Sequence, residues 1–397
     1  MKRILLVPDG AADEPLEVLN HRTPLQVANT PYLDELARAG LVGTVQVTPP
    51  DMYPGSDAAN MALLGYDPKH YYTGRGPIEA AAMGILLGPE DVAFRCSLIS
   101  TDGEQLVDYS AGHITTEEAR PLIEWVNERL ATSFRRLYPG VSYRHILVWK
   151  NGPAHAQTAL PHENMGKPLQ EIYPKGEGAE QLQRFIEESY ALLDNHPFNQ
   201  QRRAQGKPPA NMLWPWSPGR APELTPFSHL HGTTGAVIAA VDVIRGLGRL
   251  AGLEVVNVPG ATGYFDTDYA AKGRYALAAL QRHDFVWVHL EAPDEAGHQA
   301  NVEEKIRAIE NFDRLIVGTL VEGLRGNEPF RLLCAPDHKT PISTRGHAKG
   351  PVPFLFFDSQ RPSQPPNLTM FDESALTQAS IHIKEGWKLI HLLFDDA

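Results

Sequence analysis

Short, mostly apolar runs that end at once on an acidic residue or a histidine constrain this chain more than any other feature. Residues 4–7 run into Pro8-Asp9-Gly10, residues 285–290 into Glu291, Asp294 and His298, and residues 330–334 into Ala335-Pro336-Asp337-His338. Runs of this length fit strands buried on both faces, as in a parallel sheet. A polar group directly after such a strand stands at the carboxyl edge of the sheet, where open α/β sheets gather their ligands.

The segments between these runs follow the same grammar. Thr30-Pro31 opens a helix with proline at its first position, and Gly40 closes it. Residues 42–47 read as a strand that leads into a Pro54-Gly55 turn and a short helix over 57–64, stopped by Gly65. Ser56 is the expected N-cap of that helix, beside unpartnered N–H groups and the positive end of the helix dipole, where a phosphoryl oxygen is welcome. Strand, helix, strand, turn, helix predicts an α/β fold with a core sheet and helices on both faces.

From about Asp91 the texture changes. Strands are expected over 93–99, 106–109 and 143–149, and helices over 116–130 and 179–193, which suggests a smaller α+β unit inserted in the first. Residues 195–216 are polar, basic and proline-rich (Arg202, Arg203, Lys207, Pro208, Pro209) and read as the return crossing. Beyond them the pattern predicts helices over 236–244, 271–281 and 303–324, strands over 253–258 and 353–357, and a C-terminal helix from about 374. The expected domains are 1–91 with 211–397, and an inserted 92–210.

Composition narrows the function. A net charge of −12 over 397 residues disfavours nucleic acid or an anionic membrane as partner, while a local arginine cluster would still admit a small anionic substrate. The two cysteines, Cys96 and Cys334, form no disulfide framework and no metal-type pair, which suits a reducing cytoplasm. The apolar run near Met1 is too short for a signal sequence, and no stretch reaches transmembrane length. Asn367-Leu368-Thr369 matches a glycosylation sequon that would be idle in the cytoplasm. Gly246-Leu247-Gly248-Arg249-Leu250-Ala251 matches a dinucleotide fingerprint but follows a helical run instead of a strand, and no P-loop is present, so no nucleotide is expected.

What remains is a set of ligand-type side chains at one sheet edge: Asp9, Ser56, Asp294, His298, Asp337, His338 and, in a glycine-rich loop, His347. Asp294 and His298 are four apart, so one helical turn puts both on one face. Each residue alone also fits a turn, a cap or a surface helix. Together, carboxylates and imidazoles without a thiolate suit two divalent ions, with Mn²⁺ foremost and Mg²⁺, Zn²⁺ or Co²⁺ as alternatives. A serine in such a site suggests phosphoryl transfer through a phosphoserine.

These residues resemble the alkaline-phosphatase superfamily and, more closely, the archaeal-type cofactor-independent phosphoglycerate mutases with their bacterial relatives. The motifs are Pro8-Asp9-Gly10, Pro54-Gly55-Ser56-Asp57, Gly65-Tyr66-Asp67-Pro68, Tyr72-Thr73-Gly74-Arg75-Gly76, Ala93-Phe94-Arg95-Cys96, Pro259-Gly260-Ala261-Thr262-Gly263, the stretch 291–298 and Pro336-Asp337-His338. The resemblance implies an alkaline-phosphatase-like core with an inserted lid domain, and interconversion of 3-phosphoglycerate and 2-phosphoglycerate without 2,3-bisphosphoglycerate. It implies Ser56 as nucleophile, one metal on Asp9, Ser56, Asp337 and His338, the other on Asp294, His298 and His347, and Lys272 reaching the phosphate. Substrate contacts would come from the inserted domain, with Arg95, Arg144 and His145 as candidates and Asp108 and His113 behind them. Archaeal members commonly show Ala-Gly-Arg-Ile where this chain has Ala111-Gly112-His113-Ile114, and some bacterial relatives with this pattern have been proposed to be homoserine kinases. A phosphomonoesterase is the other alternative on the same site. The oligomeric state is left open.

Overall fold

The computed structural model describes residues 1–361 and 368–395, so Asn367 of the sequon lies outside the described residues. In chain order the strands are β1 (Lys2–Pro8), β2 (Leu41–Val45), β3 (Asp91–Thr101), β4 (Leu106–Asp108), β5 (Arg135–Tyr138), β6 (Arg144–Lys150), β7 (Met212–Gly219), β8 (Gly235–Ile238), β9 (Glu254–Val256), β10 (Phe285–Leu290), β11 (Phe330–Cys334), β12 (Val352–Asp358) and β13 (His382–Ile383). The chain forms two compact units, one of residues 1–72 with 224–397 and one of residues 73–223.

The first unit is built on an eight-stranded sheet in the order β13-β2-β12-β11-β1-β10-β8-β9. Strands β11, β1, β10, β8 and β9 run parallel, and β12 is antiparallel to both its neighbours. Ile4, Leu6, Val286, Val288 and Leu332 share one core with Phe312, Ile316 and Leu320. Their alternates Leu5, Val7 and Trp287 are fully buried too, so both faces of the sheet are covered. The helix Tyr269–Ala279 packs into the first core through Ala276 and Ala279. On the other face Gly248, in the helix Asp242–Leu250, brings its backbone against Val237; a Cβ there would stand 2.5 Å from that side chain. The α/β class with a large core sheet is as expected.

The second unit carries a five-stranded sheet in which β3 pairs antiparallel with β4, β6 and β7. One face of it packs Phe94, Cys96, Leu98 and Leu147 against Ile123 and Val126 of the helix Thr116–Leu130 and Leu182 and Phe185 of the helix Ala179–Leu193.

Four sequence expectations give way here. Residues 236–244 are not one helix: β8 comes first, then the helix Asp242–Leu250. A four-residue strand buried on both faces has no period-2 alternation, and Ala236, with Ala239 and Ala240 just after the strand, imitates a helix. Residues 195–216 are not a crossing but the helix Pro197–Ala204 followed by β7. Pro215 and Pro218 concealed that strand. It tolerates them because, among the described strands, it pairs only with β3 and leaves its other edge open. The unit boundaries therefore fall at 72/73 and 223/224 instead of 91/92 and 210/211, since β7 and the helix Arg75–Ala82 both pack on β3. The C-terminal helix shortens to Ala375–Gln378, with β13 after it. The helix expected over 303–324 is continuous from Val302 to Leu324 but contains a π-helical stretch, Phe312–Val317.

Candidate active site and metal centre

Register brings the candidate ligand residues of the first unit together. Pro8 pairs with Leu290 and Leu6 with Cys334, so β1, β10 and β11 end at one edge and hand over Asp9, Glu291 and Asp337 side by side. β2 points the same way through its antiparallel pairing with β12, and the loop after it leads to Ser56. The loop holding His347 precedes β12, whose start lies at this same edge. Gly10 makes the turn after Asp9 with φ +60°; a Cβ there would stand 2.6 Å from Asp294 Oδ1.

Ser56 occupies the first helical position of Ser56–Leu63, and Gly55 is the N-cap, with no side-chain cap bond. The expected capping role is therefore absent, and the Ser56 hydroxyl lies 3.3 Å from His338 Nε2. His338 Nε2 is in turn 3.3 Å from Asp9 Oδ1 and 3.6 Å from Asp337 Oδ2. In a second group His298 Nε2 is 3.1 Å from Asp294 Oδ2, His347 Nε2 is 3.5 Å from Asp294 Oδ1, and the two Nε2 atoms are 3.2 Å apart. Asp294 and His298 share the helix Ala292–His298, as their spacing predicts. The His338 and His347 rings stack at 3.9 Å, which joins the groups.

The donor chemistry fits divalent ions. Nδ1 of His298 is bonded to the Arg345 carbonyl (2.9 Å) and Nδ1 of His347 to the Pro54 carbonyl (3.0 Å), which leaves each Nε2 lone pair facing the carboxylates. Both oxygens of Asp9 are buried and accept no hydrogen bond among the described residues. Burial and then the neighbouring Asp337 raise the Asp9 pKa well above the carboxylate range, so its charged form calls for a cation. Burial likewise pushes Glu291 up to about 8 and His338 down to about 4. Burial would also raise Asp294, but His298 and His347 hold it well below its ordinary value, and against burial Asp294 lifts His298 to about 9.

Four residues at this edge escaped the sequence reading as site residues. Asn60 donates to the Ser56 carbonyl (2.9 Å) and to Asp337 Oδ2 (2.8 Å); its position one helical turn after Ser56 was the available signal. Thr340 donates from Oγ1 to Asp294 Oδ1. His289 and Glu291 lie at the end of β10 beside Asp9. Lys272 is fully buried and donates to the His289 carbonyl (2.9 Å); burial lowers its pKa to about 8, opposed by Glu291.

In the second unit Arg95 pairs with Glu79, which also accepts from Arg75 Nε (2.7 Å), and stacks its guanidinium 5.0 Å over Trp216. Burial would raise Glu79, but Arg95, Arg75 and Arg144 bring it below its ordinary value. Arg95 and Arg144 therefore share a face of the sheet. His145 does not join them: it pairs with Cys96, on the opposite face, and accepts from the Gly140 N–H (3.1 Å). Asp108 accepts from the Ser110 and Gly112 N–H groups, and His113 is exposed with φ +50° and its ring edge-on to Tyr109.

A serine hydroxyl with no cap to make, set among ligand groups for more than one cation, marks this α/β fold as that of a metal-dependent phosphoryl-transfer enzyme. Comparison with known proteins gives the family. A family model described as 2,3-bisphosphoglycerate-independent phosphoglycerate mutase matches residues 37–199. A probable 2,3-bisphosphoglycerate-independent phosphoglycerate mutase of Geobacter sulfurreducens is 45% identical, covering 100% of both chains. The 2,3-bisphosphoglycerate-independent phosphoglycerate mutase 2 of Methanothermobacter thermautotrophicus is 47% identical, covering 100% of this chain and 98% of its own. Among solved structures, the cofactor-independent phosphoglycerate mutase of Thermoplasma acidophilum is 29% identical with a TM-score of 0.65, covering 99% of each chain. A protein from Pyrococcus horikoshii is 28% identical with a TM-score of 0.84, covering 100% of this chain and 98% of its own. The chain belongs to the family of 2,3-bisphosphoglycerate-independent phosphoglycerate mutases.

Proposed function

We propose that this chain interconverts 3-phosphoglycerate and 2-phosphoglycerate by passing the phosphoryl group through Ser56. The observation that carries this reading is the Ser56 hydroxyl itself, uncommitted to capping and 3.3 Å from His338 Nε2 at the edge that gathers Asp9 and Asp337. Full-length similarity to phosphoglycerate mutases supports the choice of substrate. Asp9, Ser56, Asp337 and His338 would hold one divalent ion and Asp294, His298 and His347 the other, an oxygen and nitrogen donor set compatible with Mn²⁺, the ion we take as the first to test. When bound, these ions lower the serine hydroxyl pKa and neutralise phosphoryl charge.

Ser56 Oγ takes the phosphoryl group as the substrate O–P bond breaks, and returns it to the neighbouring hydroxyl of the same glycerate. The positive end of the helix Ser56–Leu63 favours the phosphoryl oxygens. Lys272 keeps two N–H donors beyond the one given to His289, and we assign them to the phosphate and the leaving oxygen. In the second unit, Arg95 and Arg144 suit the substrate carboxylate, since a guanidinium fork matches it in two hydrogen bonds. The free, buried Cys96 and Cys334 suit a cytoplasmic protein.

The test is conversion of 3-phosphoglycerate by purified protein with added Mn²⁺, beside Ser56→Ala and EDTA controls. Metal-dependent activity that disappears in Ser56→Ala is the expected result. Absence of conversion with Mn²⁺ bound, together with ATP-dependent phosphorylation of homoserine, would replace this reading with a kinase.

A further inference from the structure

The two expected ligand groups leave one buried histidine at the same edge without a role. His289 lies opposite Val7 near the end of β10, and its side chain is 1% exposed. Nε2 is 3.2 Å from Asp9 Oδ2, and Nδ1 is 3.8 Å from Glu291 Oε2. Yet both ring nitrogens, both Asp9 oxygens and Glu291 Oε2 are buried with no hydrogen-bond partner among the described residues. Two polar groups this close that do not bond each other are arranged around something else. Ligand atoms on one ion, each at about 2.1 Å from it, stand about 3.0–3.4 Å apart, which matches the His289–Asp9 separation. Asp9, His289 and Asp337 each offer a ligand atom, all within 4.8 Å of one another. On the far side of the ring the Glu291 carboxylate, 3.8 Å from Nδ1, stands on the side where a ligating histidine commonly has an acceptor for its second N–H. The Lys272–His289 carbonyl bond steadies the backbone beneath it.

We propose that His289 is a metal ligand, its Nε2 joining Asp9 and Asp337 on a divalent cation while Glu291 orients the ring through Nδ1. This rests on the metal-centre reading above. The deciding experiment is a crystal structure of the Mn²⁺-loaded wild-type protein with anomalous scattering, beside calorimetric Mn²⁺ titration of variants. An anomalous peak bound to His289 Nε2 at coordination distance is expected, as is a loss of at least tenfold in affinity at one class of site in His289→Gln. Glu291→Ala should weaken the same class, and Glu291→Gln, which keeps an acceptor for Nδ1–H, should restore much of it. Ions bound at Asp294 and His338 with His289 Nε2 outside coordination distance would overturn the proposal and leave the mutase reading standing. No bound ion at all would overturn both. A His289→Gln chain that fails to fold leaves the wild-type crystal structure to decide.

Discussion

At the residue scale the site is held by hydrogen bonds that single substitutions can separate. Asn60 bonds Asp337 and the Ser56 carbonyl, so Asn60→Ala frees Asp337 Oδ2, with Oδ1 still held by the Gly10 and His338 N–H groups, and loosens the turn carrying the hydroxyl. A loss of about 10–100-fold in metal affinity or kcat/KM is expected, read by calorimetry and a coupled assay. Thr340→Val removes the donor to Asp294 and, with it, the hydroxyl that stands 3.2 Å from His338 Nδ1. It should weaken both the Asp294–His298–His347 group and the His338-containing group, whereas Asn60→Ala should weaken only the latter. Equal weakening of both groups in Asn60→Ala would mean general loosening of the sheet edge instead of a support specific to Asp337. The sequence marked the candidate ligands, because carboxylates and imidazoles after apolar runs are conspicuous. It did not mark Asn60 or Thr340, whose polar side chains are ordinary until a neighbour four residues or forty-six residues away is known.

At the element scale the helix Ala292–His298 must lie close on the loop after β11. Gly297 permits this: a Cβ there would stand 2.5 Å from the Thr340 carbonyl oxygen and 3.0 Å from Thr340 Cβ. Gly297→Ala therefore pushes the helix off the segment that fixes Asp294. The expected cost is about 1–3 kcal/mol of stability, from urea unfolding, together with weaker Mn²⁺ binding. Normal binding in a destabilised variant would show that the helix can move without disturbing its ligands. The same scale explains the misread elements. β8 is too short and too buried to carry a period, and β7 hides two prolines on its open edge. The Asp294–His298 spacing, by contrast, was readable because both residues lie on one turn of one helix.

At the scale of the whole molecule, distant stretches of the first unit meet in a buried polar network. Glu373 accepts from Thr23 Oγ1 (2.5 Å) and the Asp13 N–H (2.9 Å), while Lys305 pairs with Asp13 (2.7 Å) and donates to the Thr340 carbonyl (2.8 Å). Burial raises the Glu373 pKa from its ordinary 4.5 to about 7, against the hydrogen bonds it accepts. Folding thus favours the protonated acid. That contribution is complete below about pH 4.5 and is lost as pH rises through 7, a difference of about 3 kcal/mol for the full shift. Glu373→Gln keeps an acceptor for Asp13 and a donor for Thr23, so it should gain stability over the wild type between pH 5 and 8 by urea unfolding. A constant difference across that range would mean that Glu373 does not titrate in it.

The sequence by itself determined the α/β class and which side chains are candidates to carry the chemistry. Both are local statements: an apolar run of strand length, a breaker, and a ligand-type residue at its end. Only the tertiary structure decided how those residues group. The parallel register of β1, β10 and β11 sets Asp9 beside His289 and Asp337, and the antiparallel β12 returns His347 to the same edge. Pairing order in a sheet is a property of strands far apart in the chain, and a face of a strand is known only once its partner is. This is why Arg95 and Arg144 share a face of the sheet while His145, one residue from Arg144, faces the other way.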